Sequence, residues 1–155
     1  MSGDRRDLVS GDVQAGAVTV YTAGTFDLLH LGHLRLLERA AAEGDRLVVA
    51  VSTDELVTQY KGRPPVVPYE ERSALVAALR CVDEVVPQTD RDKALAWEHL
   101  RFDVWVVGDD WKGHPYYTEV EAKLAAKGVR CVYLPYTDGV SSTLRREQAG
   151  EHRSE

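Results

Sequence analysis

Five short runs of apolar, mostly β-branched residues recur along the chain and alternate with longer segments of helical periodicity. Runs of this kind predict buried strands. We place the strands at residues 17–23, 45–52, 83–87, 103–108 and 129–135. Helices are predicted over residues 32–43, 69–80, 91–100 and 117–127. Strands that are apolar on both faces and alternate with helices indicate a parallel sheet covered on both sides, with right-handed crossovers. The expected fold is α/β, a Rossmann-like doubly wound parallel five-stranded sheet with helices on both faces.

The chain has 155 residues, which is the size of one ordinary domain. We place the domain at residues 17–146, after a flexible leader at 1–16 and before a polar tail at 147–155. No segment has the pattern of a signal peptide or a membrane span, so we expect a cytoplasmic protein without a membrane partner. Cys81 and Cys131 form no CxxC pair and are expected to be reduced core residues.

The charge balance works against a polymer-binding function. The chain has 19 Lys and Arg against 25 Asp and Glu, which gives a formal net charge of -6. A net negative charge disfavours non-specific attraction to nucleic acid or anionic lipid. Doubly wound sheets instead bind small ligands outside the carboxyl ends of their strands, so the loops that follow the strands are the candidates for chemistry.

The segment after the first predicted strand reads TAGTFDLLHLGHLRLLERA and contains neither GxGxxG nor GxxxxGK[ST]. His30 and His33 lie three residues apart at its strand-to-helix turn, so both rings can project from one face beside the free N–H groups of the helix start. Such a site favours phosphate, and bound phosphates would draw both imidazoles toward their charged forms. The pair is a candidate for stabilising charge on a phosphorus centre. The alternative is a pair of ordinary surface histidines.

Neighbouring residues in the same segment suit this chemistry. Thr25 provides a hydroxyl at the strand end, and Asp27 provides a carboxylate that can orient a magnesium ion or a histidine. Gly24 and Gly32 allow the backbone to approach a ligand closely. The segment therefore offers several polar groups to one phosphate site.

A second candidate segment, STDELVTQYKGRPPVVPYEER, follows the second predicted strand. Lys61 and Arg63 flank a glycine in what we predict to be a loop stiffened by three prolines, which would hold the two cations in place. We interpret them as phosphate-binding residues. Taken alone, such a pair is more often solvated surface charge.

Two further polar segments follow the fourth and fifth predicted strands. Asp109, Asp110 and Trp111 can hydrogen-bond and stack on a nucleoside, or else form a polar turn in which Trp111 closes the core. The last segment provides hydroxyls that either cap a helix or cradle phosphate oxygens. These are Ser141, Ser142 and Thr143. The segments meet at neighbouring strand ends, where one nucleoside triphosphate can contact all of them.

The sequence GTFDLLHLGH resembles the GxFDxxHxGH signature of the cytidylyltransferases, within the nucleotidyltransferase superfamily. The resemblance spans residues 18–146 and is greatest to the bacterial enzymes that act on glycerol 3-phosphate. Further matching segments follow in the same order: LLERA, VVAVSTDE, YEER, RCVDEVVP, GDDW and TDGVSST. Several motifs in one order make the resemblance specific.

The resemblance implies an enzyme that transfers CMP from CTP to glycerol 3-phosphate, giving CDP-glycerol and pyrophosphate. The acceptor phosphate attacks in line, without a covalent intermediate and with Mg²⁺ as cofactor. Positioning and cations suffice for such chemistry. The resemblance also implies a homodimer whose partners are CTP and a small phosphorylated alcohol, not nucleic acid.

Roles for individual residues follow from the same resemblance. His30 and His33 would stabilise the pentacoordinate transition state. The implied catalytic set is His30, His33, Lys61 and Asp27, with Asp27 also the metal ligand. The implied nucleotide-binding set is Thr25, Phe26, Gly32, Arg63, Gly108, Asp110, Trp111, Thr137, Ser141, Ser142 and Thr143. The implied substrate-binding set is Arg80 and Asp54.

The sequence departs from the family pattern at two places. Tyr136 stands where the family often has an arginine, so one phosphate contact is either missing or supplied by Arg63, Arg145 or Arg146. The basic run before YEER is shortened to KGRPPVV. Three alternatives therefore stay open: a cytidylyltransferase for another phosphate or phosphonate alcohol, an adenylyltransferase of the same superfamily, and a nucleotide-sensing module without turnover.

Overall fold

A computed structural model of the protein describes residues 16–135, apart from the side chain of Asp110. The leader predicted at 1–16 therefore lies almost wholly outside the described residues, as does the tail predicted at 147–155. The same is true of seven positions singled out above. These are Tyr136, Thr137, Ser141, Ser142, Thr143, Arg145 and Arg146.

The strands form one sheet whose neighbouring pairs are all parallel. The strands are β1 (Thr19–Gly24), β2 (Arg46–Ser52), β3 (Glu84–Gln88), β4 (Val104–Gly108) and β5 (Arg130–Leu134). Their order across the sheet is β3-β2-β1-β4-β5. This order confirms the predicted doubly wound five-stranded sheet. The chain extends from β1 first toward one edge and then toward the other, so a crevice forms beyond the carboxyl end of β1, between β1 and β4.

Five helices connect the strands. They are α1 (Leu31–Ala41), α2 (Asp54–Lys61), α3 (Tyr69–Ala77), α4 (Lys93–Leu100) and α5 (Pro115–Ala125). A single 3₁₀ turn, Asp109–Trp111, follows β4. None of the helices within residues 16–135 has the length and apolarity that crossing a bilayer requires.

The prediction missed α2, because we interpreted the segment after β2 as a loop. The signals for a helix are nevertheless in the sequence. The Thr53 side chain caps the helix by accepting a hydrogen bond from the Leu56 N–H at 3.2 Å, and acidic residues occupy the first turn. Gly62 ends it in the left-handed conformation, with φ at 77°. Lys61 is therefore the last residue of a helix.

Two hydrophobic clusters cover the two faces of the sheet, which is why the strand sequences are continuously apolar. On one face, Val20 and Val49 pack with residues of α1 and α3 such as Leu37. On the other face, Tyr21 and Val48 pack with residues of α4 and α5. Alternate residues of each strand therefore face opposite layers. Cys81 and Cys131 are partly buried beside these clusters, and both thiols are free, as predicted.

Candidate active site

A cavity of about 510 Å³ lies beyond the carboxyl ends of β1, β3 and β4. The end of β1 contributes Thr25 and the end of β4 contributes Gly108, with Trp111 just after it. Cationic side chains line the same cavity. These are Lys61, Arg91 and Lys93. Its size is that of a pocket for a small-molecule ligand.

The charge of this cavity is positive. Among the described residues that line it there is no Asp or Glu side chain. Lys93 is only 5% exposed, and burial together with the charge of Arg91 lowers its pKa to about 8, so that it stays largely protonated at neutral pH. Asp90 and Asp92 lie near enough to Lys93 to raise its pKa, but they do not line the cavity, so its three cations favour a ligand that carries negative charge.

His30 and His33 form the cap of α1 with their own side chains. His30 is the N-cap residue, and its Nδ1 accepts a hydrogen bond from the Gly32 N–H at 3.0 Å. The Nδ1 of His33 accepts from the His30 N–H at 3.2 Å. Ser or Thr with Glu or Gln usually makes this reciprocal arrangement. Here it holds the two rings in a stack with centroids 3.9 Å apart.

This cap also decides where the imidazole protons are. A neutral imidazole carries one N–H, and a nitrogen that accepts a hydrogen bond cannot be the one that carries it. Because Nδ1 accepts in both residues, the proton of each neutral ring lies on Nε2. Both histidines therefore present an N–H donor on the side of the ring away from the backbone of α1.

The pKa of His33 is lowered to about 4, first by burial and then by the nearby His30, while Asp27 acts in the opposite direction. Without a ligand, His33 is therefore neutral at physiological pH. We expected bound phosphates to draw the pair toward its charged forms. That expectation stays a prediction. With its lowered pKa, His33 is a neutral donor through Nε2.

The turn that leads from β1 to the histidines is strained. Phe26 and Leu28 have φ values of 55° and 53°, a left-handed conformation that non-glycine residues seldom adopt. The buried ring of Phe26 meets His33 edge-on, with centroids 5.4 Å apart. A Cβ on Gly24 would come within 3.1 Å of that ring. Gly24 therefore makes room for Phe26, and Phe26 supports His33.

The histidines themselves are not among the residues that line the cavity. Leu36 of α1 does line it, and His33 lies three residues before Leu36, on the same face of the helix. The histidine pair therefore lies beside the cavity, at the end of β1 from which Thr25 enters it.

Tyr60, which sequence reasoning did not single out, connects several site residues. Its hydroxyl lies 2.9 Å from the Thr25 hydroxyl. The Arg91 guanidinium lies 4.6 Å from the centre of the Tyr60 ring, and the Lys61 ammonium lies 5.9 Å from it. Thr25 and Lys61 therefore both lie beside Tyr60. Arg91 places a second cation on the Tyr60 ring.

Asp27 has partners that fit an anchoring role. Its Oδ2 accepts from the Val66 N–H at 2.8 Å and its Oδ1 from the Val67 N–H at 2.9 Å, and the residue is 6% exposed. It therefore fastens the loop after α2 to the end of β1. A carboxylate with both oxygens engaged in this way fits poorly as a direct magnesium ligand. Within residues 16–135, no group of three or more His, Cys, Asp or Glu side chains could hold a metal ion.

Arg72, which sequence reasoning also missed, is the buried centre of this end of the sheet. It is 1% exposed. Its guanidinium donates to the carbonyls of Thr25 and Ser52 at 2.7 and 2.8 Å, and its Nε donates to the Val67 carbonyl at 2.7 Å. A further bond joins it to the Asp54 carboxylate at 2.6 Å. The motif YEER contained the signal, but an arginine on an amphipathic helix is normally exposed.

Asp54 was expected on the substrate side. Its second carboxylate oxygen accepts from the Tyr69 N–H at 3.3 Å, so both of its oxygens are used within the fold. Arg80 follows α3 and precedes β3, so it lies on the side of the sheet where the strands begin. It does not line the 510 Å³ cavity, which lies on the side where the strands end. The substrate contact of Arg80 stays a prediction that this cavity does not support.

Arg63 lines a smaller cavity of about 80 Å³ together with Thr25, Asp27 and Lys61. This cavity lies beside the loop after α2. Gly32 donates its N–H to His30 in the helix cap, so its backbone already has a defined role. The predicted phosphate-binding pair Lys61 and Arg63 thus shares one small recess.

At the other end of the cavity, Trp111 lines the wall and stacks on Tyr117 with ring centroids 4.9 Å apart. His114 meets the Trp111 ring edge-on at 5.6 Å. The Trp111 ring therefore packs against the core and also lines the cavity. This position agrees with both interpretations of Trp111, as a residue that closes the core and as a surface for a nucleoside. The side chain of Asp110 lies outside the described part of the chain.

Comparison with known proteins agrees with this geometry. The family model described as cytidylyltransferase-like matches residues 21–148. Glycerol-3-phosphate cytidylyltransferase of Bacillus subtilis (strain 168) is 43% identical over 136 residues, covering 83% of this chain and 95% of that protein. The enzyme of the same name from Staphylococcus aureus is 38% identical over 130 residues, covering 83% and 92%.

Two further proteins match most of this chain. The ethanolamine-phosphate cytidylyltransferase of Arabidopsis thaliana is 40% identical over 131 residues, covering 81% of this chain but 31% of that protein. The crystal structure of the lipopolysaccharide core biosynthesis protein from Thermoplasma volcanium has a TM-score of 0.65 at 28% identity, covering 79% of this chain and 98% of that one. The chain therefore belongs to the cytidylyltransferase-like family of nucleotidyltransferases.

Proposed function

We propose that the protein transfers CMP from CTP to glycerol 3-phosphate, producing CDP-glycerol and pyrophosphate. Its similarity to glycerol-3-phosphate cytidylyltransferases extends over nearly their whole length. The observation that carries the proposal is the histidine cap of α1, which holds two Nε2–H donors side by side next to a cavity lined by cations. A pair of fixed N–H donors suits a phosphorus centre on which negative charge develops.

The reaction needs no nucleophilic side chain. An oxygen of the acceptor phosphate attacks the α-phosphorus of CTP, and the bond from that phosphorus to the β-phosphate oxygen breaks. Because the attacking oxygen of a phosphate dianion carries no proton, no general base is required. The Nε2–H groups of His30 and His33 donate to oxygens of the α-phosphate as it becomes pentacoordinate. Lys61 binds the phosphates, and orientation within the cavity accounts for much of the remaining acceleration.

We assign the nucleoside to the end of the cavity at Gly108 and Trp111, where the exposed part of the indole ring offers a surface for a base. Asp110 is proposed as a nucleoside contact, and the hydroxyls of Thr137, Ser141, Ser142 and Thr143 as contacts of the triphosphate. Magnesium enters the proposal as part of the substrate, carried on the phosphates of CTP. This agrees with the preference of Mg²⁺ for phosphate oxygens and water over an all-protein cage.

The test measures pyrophosphate release for each combination of nucleotide and acceptor. CTP, ATP, UTP and GTP are each combined with glycerol 3-phosphate and with phosphoethanolamine, with and without Mg²⁺. We expect CTP with glycerol 3-phosphate to give the highest kcat/KM, only with the metal, and CDP-glycerol to be the product by mass spectrometry. A preference for ATP, release of orthophosphate, or nucleotide binding without turnover would each overturn the proposal.

A cytoplasmic homodimer completes the proposal. Light scattering of the purified protein at micromolar concentration measures the mass in solution directly. A mass near twice the 17.2 kDa of one chain supports the dimer, and a single-chain mass contradicts it. Fractionation of the producing cells tests the location.

A further inference from the structure

Thr25, at the end of β1, is held from two sides. Its carbonyl accepts a hydrogen bond from the buried Arg72 guanidinium at 2.7 Å. Its hydroxyl lies 2.9 Å from the Tyr60 hydroxyl, and within residues 16–135 that hydroxyl has no other hydrogen-bond partner. Thr25 lines both the 510 Å³ cavity and the 80 Å³ cavity. A phosphate bound where the two cavities meet would therefore contact this hydroxyl.

The chemistry of the two hydroxyls decides which of them donates. A phenol is more acidic than an aliphatic alcohol, so it is the stronger donor and the weaker acceptor. Tyr60 therefore donates to the Oγ1 of Thr25, and the proton of the Thr25 hydroxyl is left for a second acceptor. Hydrogen bonds in a chain polarise one another, so a Thr25 hydroxyl that accepts from Tyr60 is itself a better donor.

The charges beside the Tyr60 ring favour the same direction. The Arg91 guanidinium lies 4.6 Å from the ring centre and the Lys61 ammonium 5.9 Å from it. Positive charge stabilises a phenol oxygen that shares its proton, so both cations strengthen Tyr60 as a donor. Tyr60 is 38% exposed, so burial alone does not fix its ring. Contact with the cations supplies that restraint.

An anionic ligand completes the hydrogen-bond chain. The larger cavity is lined by Tyr60 and by three cationic side chains, and it suits a ligand that carries phosphates. The oxygens of an ionised phosphate only accept hydrogen bonds. They therefore favour the direction that leaves the Thr25 proton free, over the reverse direction in which Thr25 donates to Tyr60.

We propose that Tyr60 is a positioning residue, which orders the Thr25 hydroxyl as a donor to a phosphate oxygen of the nucleoside triphosphate. Tyr60 acts through Thr25 and does not itself contact the reacting atoms. The proposal rests on the proposed function. It adds to the site a residue of α2 that lies outside the motif GTFDLLHLGH.

The first test is calorimetric titration with CTP and Mg²⁺ in the absence of an acceptor. Tyr60→Phe keeps the ring and its contacts with the cations but removes the hydroxyl, and we expect the Kd for CTP to rise about 3- to 10-fold. The matched control is Tyr116→Phe. Tyr116 is 37% exposed and its hydroxyl donates to the Arg91 carbonyl at 2.9 Å, but it does not line the cavity. This control should bind CTP as wild type does.

A double-mutant cycle then separates positioning from a merely structural role. Thr25→Val removes the hydroxyl through which Tyr60 acts, so adding Tyr60→Phe to it should not raise the Kd for CTP further. Thr25→Ser keeps the hydroxyl, and in that background Tyr60→Phe should again weaken CTP binding. In steady-state kinetics, Tyr60→Phe should raise the KM for CTP and leave the KM for glycerol 3-phosphate nearly constant.

The outcomes overturn different claims. If Tyr60→Phe leaves the Kd for CTP unchanged, or raises it equally with and without Thr25→Val, Tyr60 does not act through Thr25 and the proposed function stands. If wild type binds CTP but makes no CDP-glycerol, the proposed function fails, and the Kd values still decide the role of Tyr60. If wild type does not bind CTP, both proposals fail.

Discussion

The strands of the sheet begin at what we call its amino-terminal edge and end at its carboxyl-terminal edge. Side chains of opposite charge bind the free backbone groups at these two edges. At the amino-terminal edge, three aspartates that directly precede strands accept from backbone N–H groups of the neighbouring strand. Asp45 binds Val18 at 2.7 Å, and Asp103 binds Thr19 at 2.9 Å. Asp83 binds Leu47 at 2.8 Å. At the carboxyl-terminal edge, the free carbonyls of the strand ends are bound by Arg72 instead.

This difference follows from the parallel sheet itself. Parallel strands leave N–H groups free at one edge and carbonyls at the other, so carboxylates suit the first edge and cations suit the second. The cavity at the carboxyl-terminal edge is lined by three other cations, Lys61, Arg91 and Lys93. Acidic side chains therefore meet the backbone at one edge of the sheet, and cationic side chains lie at the other.

The largest effect is expected at Arg72, the buried cation of the carboxyl-terminal edge. Arg72→Met would leave three carbonyls and the Asp54 carboxylate without their donor, in a region from which water is excluded. We expect the free energy of unfolding to fall by about 3–5 kcal/mol, measured by urea denaturation. Lysine is not expected to rescue it, because an ammonium cannot reproduce the planar fork of a guanidinium.

The matched control for Arg72 is Arg130→Met, which removes an exposed arginine from an ion pair with Glu43. An exposed pair contributes about 0–1 kcal/mol, so this variant should be nearly as stable as wild type. If the two variants lost equal stability, the carboxyl-terminal edge would not depend on a buried cation.

The next effect concerns activity at the same edge. His33→Ala removes one of the two Nε2–H donors, and we expect kcat to fall about 10²- to 10³-fold, since one fixed donor at a developing charge is worth about that much. Binding of CTP, measured by calorimetry, should change far less. His99→Ala, an exposed histidine of α4, is the control. Nearly unchanged turnover in His33→Ala would contradict the role of the histidine cap.

The fold was largely predictable from sequence because the strand signal is strong. Each buried strand is a continuous apolar run, and its two faces meet two helical layers. Helix α2 was missed because Pro64, Pro65 and Pro68 dominated the interpretation of a segment whose first half is capped by Thr53 and ended by Gly62. Local capping residues identify such a short helix better than the prolines that follow it.

The site was predictable only in part. The spacing of His30 and His33 indicated a helix start, but not that the rings themselves form the cap and so fix their tautomers. Burial of Arg72 could not be expected from its residue type, since its four partners come from three separate segments. Lys93, which lines the cavity, gave no motif at all. Tertiary contacts decide these roles, and single-sequence patterns do not contain them.

The pH dependence of stability should also distinguish the two edges. The pKa of His33 is about 4 in the fold and about 6.5 when unfolded, so the unfolded state binds more protons in between. The contribution of neutral His33 is full above pH 6.5 and is lost as the pH falls toward 4. As the pH falls from 6.5 to 4, wild type should lose at most about 3 kcal/mol of stability relative to His33→Gln. A difference that is independent of pH would contradict the lowered pKa.

The smallest effect belongs to the amino-terminal edge and should leave catalysis unchanged. Asp103→Ala removes the acceptor for the N–H of Thr19, a buried residue at the start of the central strand, and should lower the free energy of unfolding by about 1–3 kcal/mol. Asp103→Asn keeps an amide oxygen at the same place and should recover most of this loss. Both variants should retain the kcat of wild type at a temperature where they are folded. Because β1 carries Thr25 and the histidines at its other end, a fall in kcat in Asp103→Asn would show that the two edges are coupled through this strand.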